Sequence, residues 1–271
     1  MSVSPIHTRI WQETPEADNP FATQVARCHG YDVYGAMLGR AGWADMVYLL
    51  FLGEAPQPWQ ARMMDMLAVA MANAGPRDPA VHAAMGGGIG GSTAASSLMA
   101  ALAVGAGQSG GAREVFLAVR DWLDCGCDLA AWRARIATRP DQDEEDIWPT
   151  PEHAVGFDVN GVSTSLIVRQ TLDALARESQ GPRLGWLQSN RVMLEEAARL
   201  PLAMTGVAAA ALADLGCQPG QAEMLFLLLR LPGAAAHALE QGGNSYKRFP
   251  FYPVELEDDP ARRGPGLESL P

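Results

Sequence analysis

The sequence has almost no lysine: Lys247 stands alone among 271 residues. Lys and Arg together number 20 against 31 Asp and Glu, for a formal net charge of −11. Without a basic cluster there is no electrostatic footprint for a nucleic acid, and DNA or RNA binding is not expected. An acidic surface of this kind reports solubility. Cysteine is scarce as well, at Cys28, Cys125, Cys127 and Cys217. Cys125-Gly-Cys127 is not a zinc spacing and no second pair supports it, so reduced and mostly buried thiols in a cytoplasmic protein are expected. The opening MSVSPIHTRIWQE lacks the apolar stretch of a secretory signal. The longest apolar runs, such as 94–106, carry Ser and Gly and fall short of the roughly 18–20 residues of a membrane span, so no membrane partner is expected.

Also missing is any long alternation of Val, Ile or Thr with polar residues, which argues against strands. The sequence holds no HExxH metal pair, and GAGQSGG at 105–111, which spells both GxGxxG and GxSxG, follows a predicted helix and so is neither a strand–GxGxxG–helix phosphate turn nor a strand–GxSxG–helix elbow. What is present is a chain 48% hydrophobic and 19% charged, long enough for a sizeable core. Its periodicity is helical, and the predicted fold class is all-α. Residues 1–22 read as an extended arm spaced by Pro5, Pro15 and Pro20. Met46, Val47, Leu50 and Phe51 share one helix face that stops at Gly53. Helices are predicted over 58–73, from Pro79 to an interruption at 86–91, and over 92–104, 115–123, 129–137, 166–177, 191–200 and 207–215. The small, nearly uncharged 92–104 stretch should be buried. The stretch GQAEMLFLLLRLPGAAAHALEQGG reads as a buried helix, a Leu-Pro-Gly break and a short helix. An acidic, Pro-rich connector occupies 138–153, and the tail from about 255 is acidic and loose.

Few residues suggest chemistry on local grounds. The five histidines, His7, His29, His82, His153 and His237, have no metal spacing, and a lone histidine is more often structural. Ser109 within GQSGG has no identifiable base, and a tight turn between packed helices accounts for it. Arg230 stands inside an apolar helix and must pair with something, either an internal carboxylate or a bound anion. Arg248 sits among aromatics and prolines in YKRFPFYP and could face an anion or solvent.

Taken in order, the segments resemble the citrate synthase superfamily, including its citryl-CoA lyase-like branch. HGYDVYGAMLGRAGWADMVYLLFLGEAPQPWQ is similar to that family's N-terminal signature. PLAMTGVAAAALADLG, LFLLLRLPGAAAHALEQ and YKRFPFY resemble its later segments, so the likeness runs from about residue 27 to 255. It implies a two-domain helical fold with 23–109 and 214–271 in the large domain and 110–213 in the small one. It implies a cleft between the domains and a homodimer with the 92–104 helix at its interface. No covalent cofactor is implied, and a coenzyme A thioester would be a substrate.

The family's reaction takes a proton from the α-carbon of an acyl-CoA with a carboxylate and steadies the enol with one histidine. A second histidine polarises the carbonyl of an oxo-acid, and arginines hold the acid. The resemblance places the first histidine on Ser109 and the second on His153. It places the carboxylate on Thr205, and two acid-binding arginines on Arg230 and Arg248, with His237 in the same substrate-binding segment. The frame that holds an anion is kept, while the groups that move protons are largely replaced. Glu114, Glu152, Asp158 and Glu240 are candidates for a replacement base. Two readings follow. One is an acyl-CoA and oxo-acid synthase or lyase with altered catalytic residues. The other is an inactive member that serves as a partner of an active relative or binds a small carboxylate. A carboxylate beside His153 at the centre of the cleft favours the first.

Overall fold

A computed structural model describes residues 7–138 and 153–244. Ten α-helices dominate this part: α1 (Trp43–Leu52), α2 (Pro58–Met71), α3 (Pro79–Ile89), α4 (Ala94–Gly105), α5 (Ala112–Cys125), α6 (Leu129–Ala137), α7 (Leu166–Glu178), α8 (Arg183–Ala198), α9 (Met204–Asp214) and α10 (Pro219–Gly242). The all-α expectation holds, with one addition. A small antiparallel sheet, β1 (Trp11–Pro15), β2 (Thr23–Cys28) and β3 (Tyr31–Asp32), precedes the helices in the order β1-β2-β3. The arm expected over 1–22 therefore includes a paired strand. Its sequence, WQETP, is almost wholly exposed, so it carries no inward apolar alternation to betray it.

α9 is the centre of the core. Every residue from Thr205 to Asp214 is buried, and its small Ala-rich surface lets α5, α7, α8 and α10 pack close. One contiguous cluster joins α9 to Tyr48, Met63, Leu67, Trp122 and Leu225. A smaller cluster, with Val81, Ala84, Ala101 and Ala234, binds α3 and α4 to α10.

Three helices differ from the sequence reading for identifiable reasons. α3 runs through Gly86–Gly88 instead of stopping there. Gly88 lies against Ala238 of α10, and a Cβ at that position would come within 2.1 Å of its carbonyl oxygen. α10 likewise continues through Pro232. The freed backbone is satisfied from outside the helix, since the Gly233 N–H donates to the Ala72 carbonyl at 2.6 Å. α8 starts eight residues earlier than predicted, at Arg183. The buried Asp214 carboxylate accepts from the Arg183 and Leu184 backbone N–H groups at 2.9 and 3.0 Å and anchors that helix start across the fold.

α4 is buried on only one face, at Ser97, Ala101 and Gly105, while Met99 and Val104 are exposed. α10 is long and apolar enough to cross a bilayer. In this fold it packs chiefly against α3, α5 and α4. Cys28, Cys125 and Cys217 are buried free thiols, in line with the expectation of mostly buried cysteines, and Cys127 is an exposed one.

Candidate functional site

A cleft of about 430 Å³ opens where the N-terminal ends of α3, α5, α7 and α9 meet the middle of α10. It gathers Ser109, His153, Thr205 and Arg230. Four positions named from sequence thus lie on one wall system although they are widely separated along the chain. His237 does not line the cleft. Its Nε2 meets Asn73 Oδ1 at 3.2 Å, and Asn73 lines the cleft in its place. Arg248 and Glu152 lie outside the described residues. Glu240 faces His237 at 3.6 Å, away from the centre.

Glu114 is the carboxylate at that centre. It belongs to the first turn of α5, where a negative charge suits the positive end of the helix. Its side chain is buried to 1% exposure. Oε2 accepts from the Gly110 N–H at 2.7 Å. Oε1 accepts from the Gly156 N–H at 2.7 Å and from the Thr205 hydroxyl at 3.1 Å. His153 Nε2 lies 3.9 Å from Oε1. Three donors therefore fill most of the roughly four acceptor positions of a carboxylate. The Gly156 donor reaches Glu114 because the backbone there has φ +84° and lies against Gly206 at the start of α9. A Cβ on Gly206 would come within 2.4 Å of the Gly156 oxygen.

Arg230 has an internal partner. Its guanidinium makes an ion pair with Asp78 and donates to the Gly110 carbonyl at 3.2 Å. It also lies 4.9 Å from the Phe226 ring centroid. Asp78 does two jobs with one carboxylate. Oδ1 caps α3 by accepting from the Ala80 and Val81 N–H groups at 3.0 and 3.1 Å, while Oδ2 meets Arg230. Of the two partners left open for Arg230 by its sequence, the internal carboxylate is the one seen. Ser109 is exposed on the loop before α5. Asp158 also lines the cleft, with Oδ1 accepting from the Asn160 N–H at 2.9 Å.

A second cavity, of about 450 Å³, shares His153 with the cleft and has no local sequence signal. It lies beside α5, α6 and the end of α8, with Trp132 among its walls. Arg120, Arg135 and Arg199 line it, and Asp121 is its carboxylate. Arg135 donates to Asp121 and Asp124, each at 2.8 Å. Arg120 keeps a buried Nε with no hydrogen-bond partner. Burial pushes the Asp121 carboxyl up to about 6, with Arg135 and Arg120 pulling the other way. The two cavities share His153 and Val159 and are opposite in charge. Among the described residues, the cleft has three carboxylates and one guanidinium, and the second pocket has three guanidiniums and one carboxylate. No group of three or more metal-ligating side chains exists among the described residues.

No family model and no curated protein matches the sequence. The fold does match solved structures, and it is a citrate synthase-like helical fold. The chain is similar, with a TM-score of 0.67 at 19% identity, to citryl-CoA lyase from Hydrogenobacter thermophilus, over 93% of this chain and 97% of that one. It is similar to ATP citrate lyase from Methanothrix soehngenii, solved with citrate and coenzyme A, with a TM-score of 0.68 at 16% identity; 95% of this chain covers 43% of that one. A citrate synthase from Thermoplasma acidophilum matches with a TM-score of 0.57 at 15% identity, over 83% of this chain and 60% of that one.

Proposed function

We propose that this protein binds a coenzyme A thioester across the two cavities, and that it lacks the fast C–C bond chemistry of citrate synthase and citryl-CoA lyase. The observation that carries this reading is the pair of oppositely charged cavities joined at His153. A coenzyme A molecule is anionic at its nucleotide end, and guanidinium groups suit phosphate. Arg120 and Arg199 would take that end, with Arg135 held beside them by Asp121 and Asp124, leaving the thioester beside His153. There Thr205 and Ser109 stand at the positions where the resemblance puts the carboxylate base and the first imidazole. Glu114 stands behind Thr205, already hydrogen-bonded on both oxygens. Loss of a general base alone lowers a rate by about 10²–10⁴-fold.

A second reading rests on the 3.1 Å contact between Thr205 and Glu114. In it Glu114 is the base, reaching the substrate proton through the Thr205 hydroxyl, and the protein is a slow synthase or lyase acting on an acyl-CoA and an oxo-acid. Calorimetry with coenzyme A and acetyl-CoA, run beside assays of citryl-CoA cleavage and of acetyl-CoA with oxaloacetate, separates the two. Binding without turnover supports the main reading. Turnover that Glu114→Gln abolishes without loss of binding supports the second. No binding of any coenzyme A species overturns both.

The cleft would lie between a large domain, 23–109 with 214–271, and a small one, 110–213. The protein would act as a homodimer through the exposed face of α4 and α10, where Met99, Val104, Leu228 and Leu239 are open. Sedimentation at micromolar concentration tests that: a single species of one-chain mass contradicts it.

A further inference from the structure

We infer that the cleft takes a short, uncharged apolar acyl group on coenzyme A, not a di- or tricarboxylate, and that Asp78 sets this preference. The inference rests on the coenzyme A reading above and adds the acyl class to it. Three observations support it. First, among the described residues, the cleft's guanidinium is already paired. Arg230 is bound to Asp78 and to the Gly110 carbonyl, so a ligand carboxylate would have to displace an internal one. Second, the other charged side chains there are Glu114 and Asp158, which repel an anion. The helix ends that face the cleft would ordinarily attract anions. Of the four helix starts at the cleft, Asp78 occupies that of α3, Glu114 that of α5 and Ser165 that of α7, while the start of α9 has no side-chain cap. Third, beside the neutral polar groups of Asn73, Ser109, Asn160 and Thr205 and the His153 ring, the wall is largely apolar. Met71, Phe157, Val159, Ile167, Met204 and Phe226 line it. Ile167 is 65% exposed and Val159 48%, so the rim presents apolar surface that an acyl chain would cover.

Asp78 is a positioning residue in this account: it holds Arg230 and does not itself touch the acyl group. The Asp78→Asn variant keeps a side-chain oxygen to cap α3 but removes the charge that holds the guanidinium. Asp78→Ser is a second variant that retains a cap. Both are first checked for folding by circular dichroism and thermal melting.

The test is titration calorimetry of the full chain with free coenzyme A, butyryl-CoA, succinyl-CoA and citrate. For the natural protein, butyryl-CoA should bind roughly tenfold or more tighter than free coenzyme A, as burial of a few methylene groups allows. Succinyl-CoA should bind no tighter than free coenzyme A, and citrate should give no heat at millimolar concentration. In whichever Asp78 variant folds, succinyl-CoA should gain about tenfold while butyryl-CoA changes less than threefold. Preference of the natural protein for succinyl-CoA or citrate, with coenzyme A still bound, overturns this inference alone. An unchanged preference in a folded Asp78 variant overturns the role of Asp78. Absence of binding by coenzyme A and both thioesters overturns the coenzyme A reading, and this inference with it.

Discussion

The two cavities on either side of His153 are near mirror images in charge, and they handle their ionisable groups differently. In the cleft, the charged side chains are matched internally: Glu114 with Gly110, Gly156 and Thr205, and Arg230 with Asp78. In the arginine pocket, positive charge is left over, and Arg120 retains an unmatched buried Nε. A buried polar group without a partner is costly, so the first arrangement is stable when empty. The second improves when an anion arrives. On the proposed reading the cleft takes the acyl group and the pocket the charge of the ligand.

The most damaging way to break the cleft is Glu114→Ala. It leaves two backbone N–H groups and a hydroxyl without their acceptor at the junction of α5, α9 and the 153–160 segment. A loss of about 3–5 kcal/mol is expected in chemical denaturation, as for a broken buried charged network. A change within 1 kcal/mol would mean that the junction is held by packing alone.

The next largest effect concerns pH and the pocket. The folded-state pKa of Asp121, about 6, lies above its ordinary value of 3.8. The fold therefore favours the protonated form. The stability it gives is full below roughly pH 4 and is lost as the pH rises through about 6. Asp121→Asn removes the titration. Relative to the natural protein, the variant should gain up to about 3 kcal/mol between those two pH values. A stability difference that is flat across that window would contradict the assignment. Glu195 is the opposite case. Although burial works to raise it, hydrogen bonds from Thr164, Arg191 and the Leu202 N–H hold it below its ordinary value. Its stabilisation is present above the ordinary carboxylate pKa and disappears as the pH falls through the folded value. Glu195→Gln should therefore be most harmful at neutral pH and least harmful in acid.

Smaller effects sharpen the contrast. Arg120→Met should weaken coenzyme A binding by roughly tenfold while leaving the melting temperature unchanged or higher, because it removes an unmatched buried donor. Thr205→Val should cost about 1 kcal/mol, the worth of one hydrogen bond to Glu114. Ser109→Ala, on an exposed loop, should stay within about 0.5 kcal/mol. Denaturant titration with and without coenzyme A measures all three.

The helical architecture was largely legible in the sequence, because amphipathic periodicity, the stop at Gly53 and the start at Pro79 are local signals. The continuous α10 was not. Its survival through Pro232 depends on the Ala72 carbonyl, which lies just past the end of α2. The site was legible in part. Resemblance brought Ser109, His153, Thr205 and Arg230 together, and the fold places them on one cleft. Glu114 was one of four candidate carboxylates, and only three-dimensional contacts single it out. The pairing of Asp78 with Arg230 spans 152 residues of chain and leaves no local trace. The arginine pocket was missed because Arg120, Arg135 and Arg199 come from three separate helix positions with no shared motif.

Binding of a thioester beside His153 without a working base has a direct consequence for proton exchange. Acetyl-CoA is incubated with the protein in D₂O, and loss of its methyl protons is followed by NMR, with binding confirmed in the same sample by line broadening. The account predicts broadened coenzyme A signals and exchange no faster than in buffer. Protein-dependent exchange that disappears in Glu114→Gln would contradict it and make Glu114 the base.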